Sequence, residues 1–129
     1  GKPFLGLCLG AQVIFERSME APNVLGLGLL SGGCCRFTGG VKVPHMGWNT
    51  VDFKSKSPLF KGIKDGSHFY FVHSYYPAPS DAGTIAATTD YGVTFPSIII
   101  RENIMATQFH PEKSGEAGLR LLENFVKLI

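Results

Sequence analysis

Two stretches of this sequence carry residues able to do covalent chemistry. In Gly6-Leu7-Cys8-Leu9-Gly10 a cysteine sits between two glycines, where an apolar run (Phe4 to Leu7) gives way to a helical pattern (Ala11 to Ser18). That is the spacing of a nucleophile elbow: a sharp strand-to-helix turn strains the central residue and crowds its neighbours, so the flanking positions must lack bulk. A thiol at a helix start meets unpaired N–H groups and the positive end of the helix dipole, which predicts a Cys8 with a lowered pKa. The second stretch, Gln108-Phe109-His110-Pro111-Glu112, offers a base and a carboxylate to orient it. Pro111 stops the preceding strand, and the bend it sets leaves Glu112 free to turn back toward the imidazole. Cys8, His110 and Glu112 form a candidate triad for acyl transfer through a thioester.

These residues need an α/β framework, and the hydrophobic pattern supplies one with a β-rich middle. Ala11, Ile14, Phe15 and Ser18 share a helical face that should pack on a sheet, with Pro22 beyond the helix end. Short strands are predicted at Cys34 to Thr38, Thr50 to Phe53, Ser67 to Val72, Thr84 to Thr88, Ser97 to Arg101 and Ile104 to Phe109. The last two, joined by Glu102-Asn103, read as a tight hairpin, while Pro77-Ala78-Pro79-Ser80-Asp81 reads as a surface loop. A final helix places Gly118, Leu121, Leu122, Phe125, Leu128 and Ile129 on one side, with Ser114 as its N-cap.

The chain has 129 residues, 44% of them hydrophobic, which suits one domain with one core. Twelve basic against ten acidic side chains, with no run of like charge, give no electrostatic case for nucleic acid or an anionic membrane surface. No apolar stretch approaches the length of a membrane-spanning helix. Three cysteines without secretory hallmarks point to a reducing cytoplasm. Cys34 and Cys35 are adjacent and so point to opposite faces of a strand, which favours structural roles over a strained disulfide. No C-x-x-C or H-x-x-x-H spacing argues for a metal site, and no cofactor is implied.

Gly6 to Gln12 together with His110-Pro111-Glu112 resembles the class I, triad-type glutamine amidotransferases. The blocks Lys42 to Asn49, Phe69 to Tyr76, Ala87 to Gly92 and Pro111 to Arg120 narrow the likeness to the glutaminase subunits of imidazole glycerol phosphate synthase, along the whole of residues 1–129. The resemblance implies a flavodoxin-like mixed sheet with flanking helices. It implies glutamine as substrate, with hydrolysis to glutamate and ammonia. The implied partner is a (β/α)8 barrel cyclase subunit that uses the ammonia in histidine biosynthesis.

Residue by residue, the resemblance gives Leu9 N–H to the oxyanion, Gly10 and Gln12 to the substrate glutamine, and His73, Ser74 and Tyr75 to the lining of its pocket. Trp48, Asn49, Tyr70 and Lys113 match positions facing the cyclase. Taken on their own, Gln12 is a solvent-facing helix residue, His73 a polar residue ending an aromatic strand, and Trp48 as well suited to a core as to an interface. His45 and His68 receive no role.

Family members are longer ahead of the nucleophile strand, so the expectation is a C-terminal part of the family domain that lacks the first strands and a second oxyanion donor. Losing one such donor typically costs about 10²–10³ in rate. An inert module that keeps only binding surfaces is therefore the alternative, and another elbow-type thiol enzyme such as a cysteine peptidase a weaker one. With nothing beside it, the Phe4 to Leu7 strand should offer an open sheet edge, which predicts self-association or element swapping.

Overall fold

A computed structural model describes residues 2–129; Gly1, where the family resemblance opens, lies outside the described residues. The strands are β1 (Phe4–Leu7), β2 (Arg17–Ser18), β3 (Gly32–Arg36), β4 (His45–Thr50), β5 (Asp52–Phe53), β6 (His68–His73), β7 (Tyr75–Pro79), β8 (Ile85–Asp90), β9 (Thr94–Arg101) and β10 (Ile104–Thr107). The helices are α1 (Gly10–Val13) and α2 (Gly115–Val126), and single 3-10 turns form at Pro58–Phe60, Ala82–Thr84 and Pro111–Lys113.

A five-stranded sheet runs in the order β1-β10-β9-β8-β5, a three-stranded sheet in the order β2-β3-β7, and β4 pairs with β6. The arrangement is a mixed α/β one: β1 lies parallel to β10, β10 antiparallel to β9. The expected hairpin is present, with Arg101 opposite Ile104 and a two-residue turn in which Glu102 takes φ 54°. The larger core is rich in aromatic residues, among them Phe37, Phe69, Phe71, Phe95 and Phe109. A smaller cluster of Ala11, Ile14, Phe15, Leu30, Cys34, Ile99 and Ala106 anchors α1. Each large side chain so buried contributes roughly 1.5–3 kcal/mol.

Several elements differ from the sequence expectations. The elbow helix stops at Val13 and not Ser18, because a returning segment takes its carbonyls: Leu27, Leu30 and Gly28 donate backbone N–H bonds to Val13, Ile14 and Phe15. Residue 26 must be glycine for this, since a Cβ there would lie 2.0 Å from the Phe15 carbonyl oxygen. Ser18 instead pairs with Cys34 across β2 and β3.

The expected loop at Pro77 to Pro79 is the edge strand β7, where prolines opposite Cys34 and Gly32 direct their missing donors away from the ladder. The strand predicted at Thr50 to Phe53 is two strands: β4 pairs with β6 and β5 with β8, and fully buried Val51 lies at the switch. Ser114 stands at the N-cap of α2, but its hydroxyl makes no capping bond. Leu128 and Ile129 follow the last helical residue and remain exposed, whereas Gly118, Leu121 and Asn124 are the buried positions of α2.

Candidate active site

Parallel pairing brings the two chemical stretches together. Leu7 lies opposite Thr107, so β1 and β10 release the chain at the same carboxyl edge, and the Cys8 N–H donates to the Thr107 carbonyl at 2.8 Å. Such an edge, where strands hand over to loops and helices, is where open α/β sheets bind ligands. Cys8 has φ 53°, the left-handed conformation expected of an elbow residue. A Cβ on Gly6 would lie 2.6 Å from the Gly10 carbonyl oxygen, which accounts for the first glycine. The second is not explained by crowding, because a Cβ on Gly10 would meet open space.

The electrostatics at Cys8 also correct the sequence expectation. Its pKa is raised and not lowered: burial of the thiol is the largest cause, and it outweighs a hydrogen bond from the Leu9 backbone N–H that favours the thiolate. Glu112 raises the value further and Lys113 lowers it, which places the 3-10 turn within electrostatic reach of the sulfur. The Sγ–H donates to the Val72 carbonyl at 3.8 Å, and the Gln108 amide Nε2 donates to Sγ at 3.9 Å. Among the described residues, no hydrogen bond joins Sγ to His110.

His110 and Glu112 meet as expected, with Nδ1 3.0 Å from Oε2. A carboxylate can only accept, so Nδ1 carries the hydrogen and Nε2 is the nitrogen available as base. The backbone of His110 is clamped by β6: its N–H donates to the Tyr70 carbonyl, and the Ser114 hydroxyl donates to its carbonyl while accepting from the Tyr70 N–H. Gly118 of α2 presses on the same turn, since a Cβ there would lie 2.0 Å from the Pro111 oxygen.

A cavity of about 250 Å³ opens beside the sulfur, lined by Cys8, Leu9, Gln12, Val72, His73, Ser74 and Tyr75, and by Glu20 and Arg36. Its size suits a small ligand. Five of the residues expected at a substrate site are therefore there, Leu9, Gln12, His73, Ser74 and Tyr75, whereas Gly10 is not among the lining residues. Gln12 is held inward: its Nε2 donates to the Tyr75 carbonyl at 3.1 Å and to the Gln108 Oε1 at 3.0 Å. Sequence reasoning missed Glu20, Arg36 and Gln108. The pairing of Arg36 with Tyr75 across β3 and β7 gives away Arg36, but only once β7 is recognised as a strand.

Trp48 is exposed and meets Tyr70 edge-on at 5.9 Å, and Lys113 is exposed on the 3-10 turn after His110. Asn49 follows Trp48 in sequence but is tied inward to the Asp90 carbonyl and to His45. Cys34 is buried, with a thiol pushed up to about 12 chiefly by that burial, Cys35 is half-buried, and both are free. Among the described residues, no group of His, Cys, Asp or Glu is arranged to hold a metal ion, and no helix is long and apolar enough to cross a membrane.

The family model for class-I glutamine amidotransferases matches residues 1–129. The chain belongs to that family. It is 53% identical over 127 residues to the imidazole glycerol phosphate synthase subunit HisH 1 of Methanococcus maripaludis, covering 98% of this chain and 63% of that one. It is equally close to the HisH subunit of Methanocaldococcus jannaschii, with 53% identity over 98% of this chain and 64% of the relative. The chain thus spans slightly less than two thirds of the length of these relatives. A crystal structure of a glutamine amidotransferase from Thermotoga maritima shares the fold, with TM-score 0.63 and 24% identity over 98% of this chain and 47% of that one. In this member of the family, the strands that lead to Cys8 and to His110 end at one sheet edge.

Proposed function

We propose that the chain is a glutaminase of imidazole glycerol phosphate synthase, releasing ammonia from glutamine for a (β/α)8 barrel cyclase subunit in cytoplasmic histidine biosynthesis. The observation that carries this reading is the shared carboxyl edge, which sets Cys8 beside a cavity of small-ligand size and brings Glu112, the partner of His110, within electrostatic reach of its sulfur. The similarity to HisH subunits over nearly the whole chain supports the choice of pathway.

Glutamine carries an ammonium and a carboxylate on its α-carbon, and Glu20 and Arg36 line the cavity with the complementary charges. The Cys8 thiol starts protonated, so the proton must leave as sulfur attacks the side-chain amide carbon, and His110 Nε2 is the base that receives it. The tetrahedral oxyanion takes the Leu9 N–H. Collapse breaks the C–N bond, the imidazolium gives its proton to the leaving ammonia, and a γ-glutamyl thioester remains on Cys8. Water, deprotonated by His110, then hydrolyses the thioester to glutamate and restores the thiol. Glu112 keeps the imidazole oriented and stabilises its charged form. Exposed Trp48, with Tyr70 edge-on to it, and exposed Lys113 form the docking face for the cyclase, and Asn49 next to Trp48 fixes the strand from which that face projects.

Glutamate release from glutamine tests this, measured with the chain alone and with a barrel cyclase subunit plus its nucleotide ligand, against Cys8→Ala. Turnover absent from the control supports the reading. Absence of turnover under both conditions favours the inert module. The edge position of β1, with Phe4, Leu9 and Val13 exposed around it, supports self-association of the chain. A single monomeric species in sedimentation at micromolar concentration overturns that part.

A further inference from the structure

Outside the triad, a chain of buried polar groups runs from β4 to the cavity. His45 and His73 lie opposite each other across β4 and β6, both nearly fully buried, with His45 Nδ1 3.0 Å from His73 Nε2. Their tautomers follow from the groups at either end. The Thr50 N–H donates to Asn49 Oδ1 at 2.8 Å, so the Asn49 nitrogen is turned to the Asp90 carbonyl at 2.9 Å and to His45 Nε2 at 3.3 Å. An amide nitrogen only donates, which makes His45 Nε2 the acceptor and leaves the hydrogen on Nδ1, aimed at His73 Nε2. His73 must then carry its own hydrogen on Nδ1, and Nδ1 is 2.8 Å from the Tyr75 carbonyl, which can only accept. Both ends demand the same polarity.

The Tyr75 carbonyl also receives Gln12 Nε2, and this contact fixes two further orientations. Because that oxygen cannot donate, Gln12 presents its nitrogen there and leaves Oε1 for a ligand. Gln12 Nε2 in turn donates to Gln108 Oε1, so Gln108 turns its own Nε2 to the Cys8 sulfur.

We propose that His45 and His73 are positioning residues for the glutamine cavity: two neutral imidazoles, each with its hydrogen on Nδ1, that hold the Tyr75 carbonyl and through it orient Gln12 and Gln108. The role rests on the glutaminase reading above. The surroundings suit it. His45 stacks between Phe71 and Tyr91, with Phe37 and Phe95 edge-on, and the Tyr91 hydroxyl is engaged by the Lys42 carbonyl. The ionisable groups facing His73 are His45, His110 and, across the cavity, Cys8, Glu20 and Arg36. Burial holds both histidines down to about 4, so both are uncharged at neutral pH.

Imidazole ¹⁵N NMR of the full chain tests the arrangement without reference to activity: both rings should give the Nδ1–H signature, unchanged down to about pH 5. An Nε2–H form of either ring, or titration near its ordinary value, overturns the proposal. Kinetics test the role. His73→Phe removes the donor to Tyr75, whereas His73→Asn places an amide N–H near the Nδ1 position. His73→Phe should raise KM for glutamine on the order of tenfold with a smaller change in kcat, and His73→Asn should restore most of it. Glutamine affinity of the Cys8→Ala chain, with and without His73→Phe, should move in parallel with KM. Unchanged KM in an active His73→Phe chain overturns the positioning role alone. A wild-type chain that neither binds nor hydrolyses glutamine overturns the glutaminase reading and this role with it.

Discussion

The two halves of the candidate triad are held in different ways. His110 is clamped through its backbone by Tyr70 and Ser114, follows fully buried Gln108 and Phe109, and is pressed from behind by α2 through Gly118. Cys8 follows an edge strand and precedes a four-residue helix whose Leu9 and Val13 remain exposed. Among the described residues, its sulfur is held by long contacts to Val72 and Gln108 and by the Leu9 N–H. The candidate base is therefore the fixed reference of the site, and the sulfur of the candidate nucleophile, on a fixed backbone, the adjustable part. This teaches that substitutions around His110 should change stability and rate together, whereas those at Cys8 should separate them.

The largest separation is expected for Cys8→Ala. Glutamate release should fall on the order of 10⁵–10⁶-fold, as when a nucleophile is removed from an enzyme of this kind, with the melting temperature almost unchanged. A loss of activity matched by a loss of folding would show that the nucleophile side is as tightly built as the base side.

Acid should strike the other half. His45 and His73 lie on β4 and β6, and β6 is the strand that clamps His110. Both imidazoles are near 4 in the folded chain because of burial, below their unfolded value. Between about 4 and 6.5 the unfolded chain therefore binds more protons, so stability is complete above about 6.5 and declines as pH drops through that window. Two such groups give a slope approaching about 2.7 kcal/mol per pH unit near the middle of the window. Denaturant unfolding at pH 7 and pH 5 reads this directly. A flat profile, or a His45→Phe chain that keeps the full slope, contradicts it.

Gly118→Ala probes how closely α2 supports the base. The new Cβ would lie 2.0 Å from the Pro111 oxygen, so the turn carrying His110 and Glu112 must shift. A loss of roughly 1–3 kcal/mol is expected from such overpacking, together with a lower kcat. Gly10→Ala is the matching change on the nucleophile side, where the Cβ meets open space, and should leave stability unchanged or slightly raised. Equal losses in both would erase the contrast.

Much of this contrast is legible in the sequence. The elbow spacing foretells strained backbone at Cys8, found at φ 53°, and the His-Pro-Glu order foretells Glu112 turning back to the imidazole, found at Nδ1, because both are set within a few residues. The β9–β10 hairpin is legible for the same reason. What escapes depends on partners distant in the chain. α1 ends early because residues 27–30 return to claim its carbonyls, and β7 forms despite two prolines because β3 lies on its open side. The direction of the Cys8 shift escapes because burial belongs to the assembled sheet edge, while the helix-start argument sees only local backbone. Ser114 reads as a cap by position, yet its hydroxyl serves His110 and Tyr70.

Cys8→Gly gives the smallest effect and the sharpest test of the elbow. A side chain at φ 53° is strained, and the strain persists only where the surroundings over-determine the backbone. Here they do: the Cys8 N–H is bound to Thr107, and Gly6 is packed against the Gly10 carbonyl. Glycine tolerates that conformation at no steric cost, and in the unfolded chain it gains freedom that folding must remove. Relief of strain should outweigh the entropy, giving a net gain of roughly 0.5–1 kcal/mol in a chain with no glutaminase activity. Cys8→Ala keeps the Cβ and hence the strain, so it should lack this gain although it is equally inactive. A Cys8→Gly chain no more stable than Cys8→Ala would mean that the elbow conformation is set at no cost by its hydrogen bonds, and that the nucleophile side is the more relaxed half.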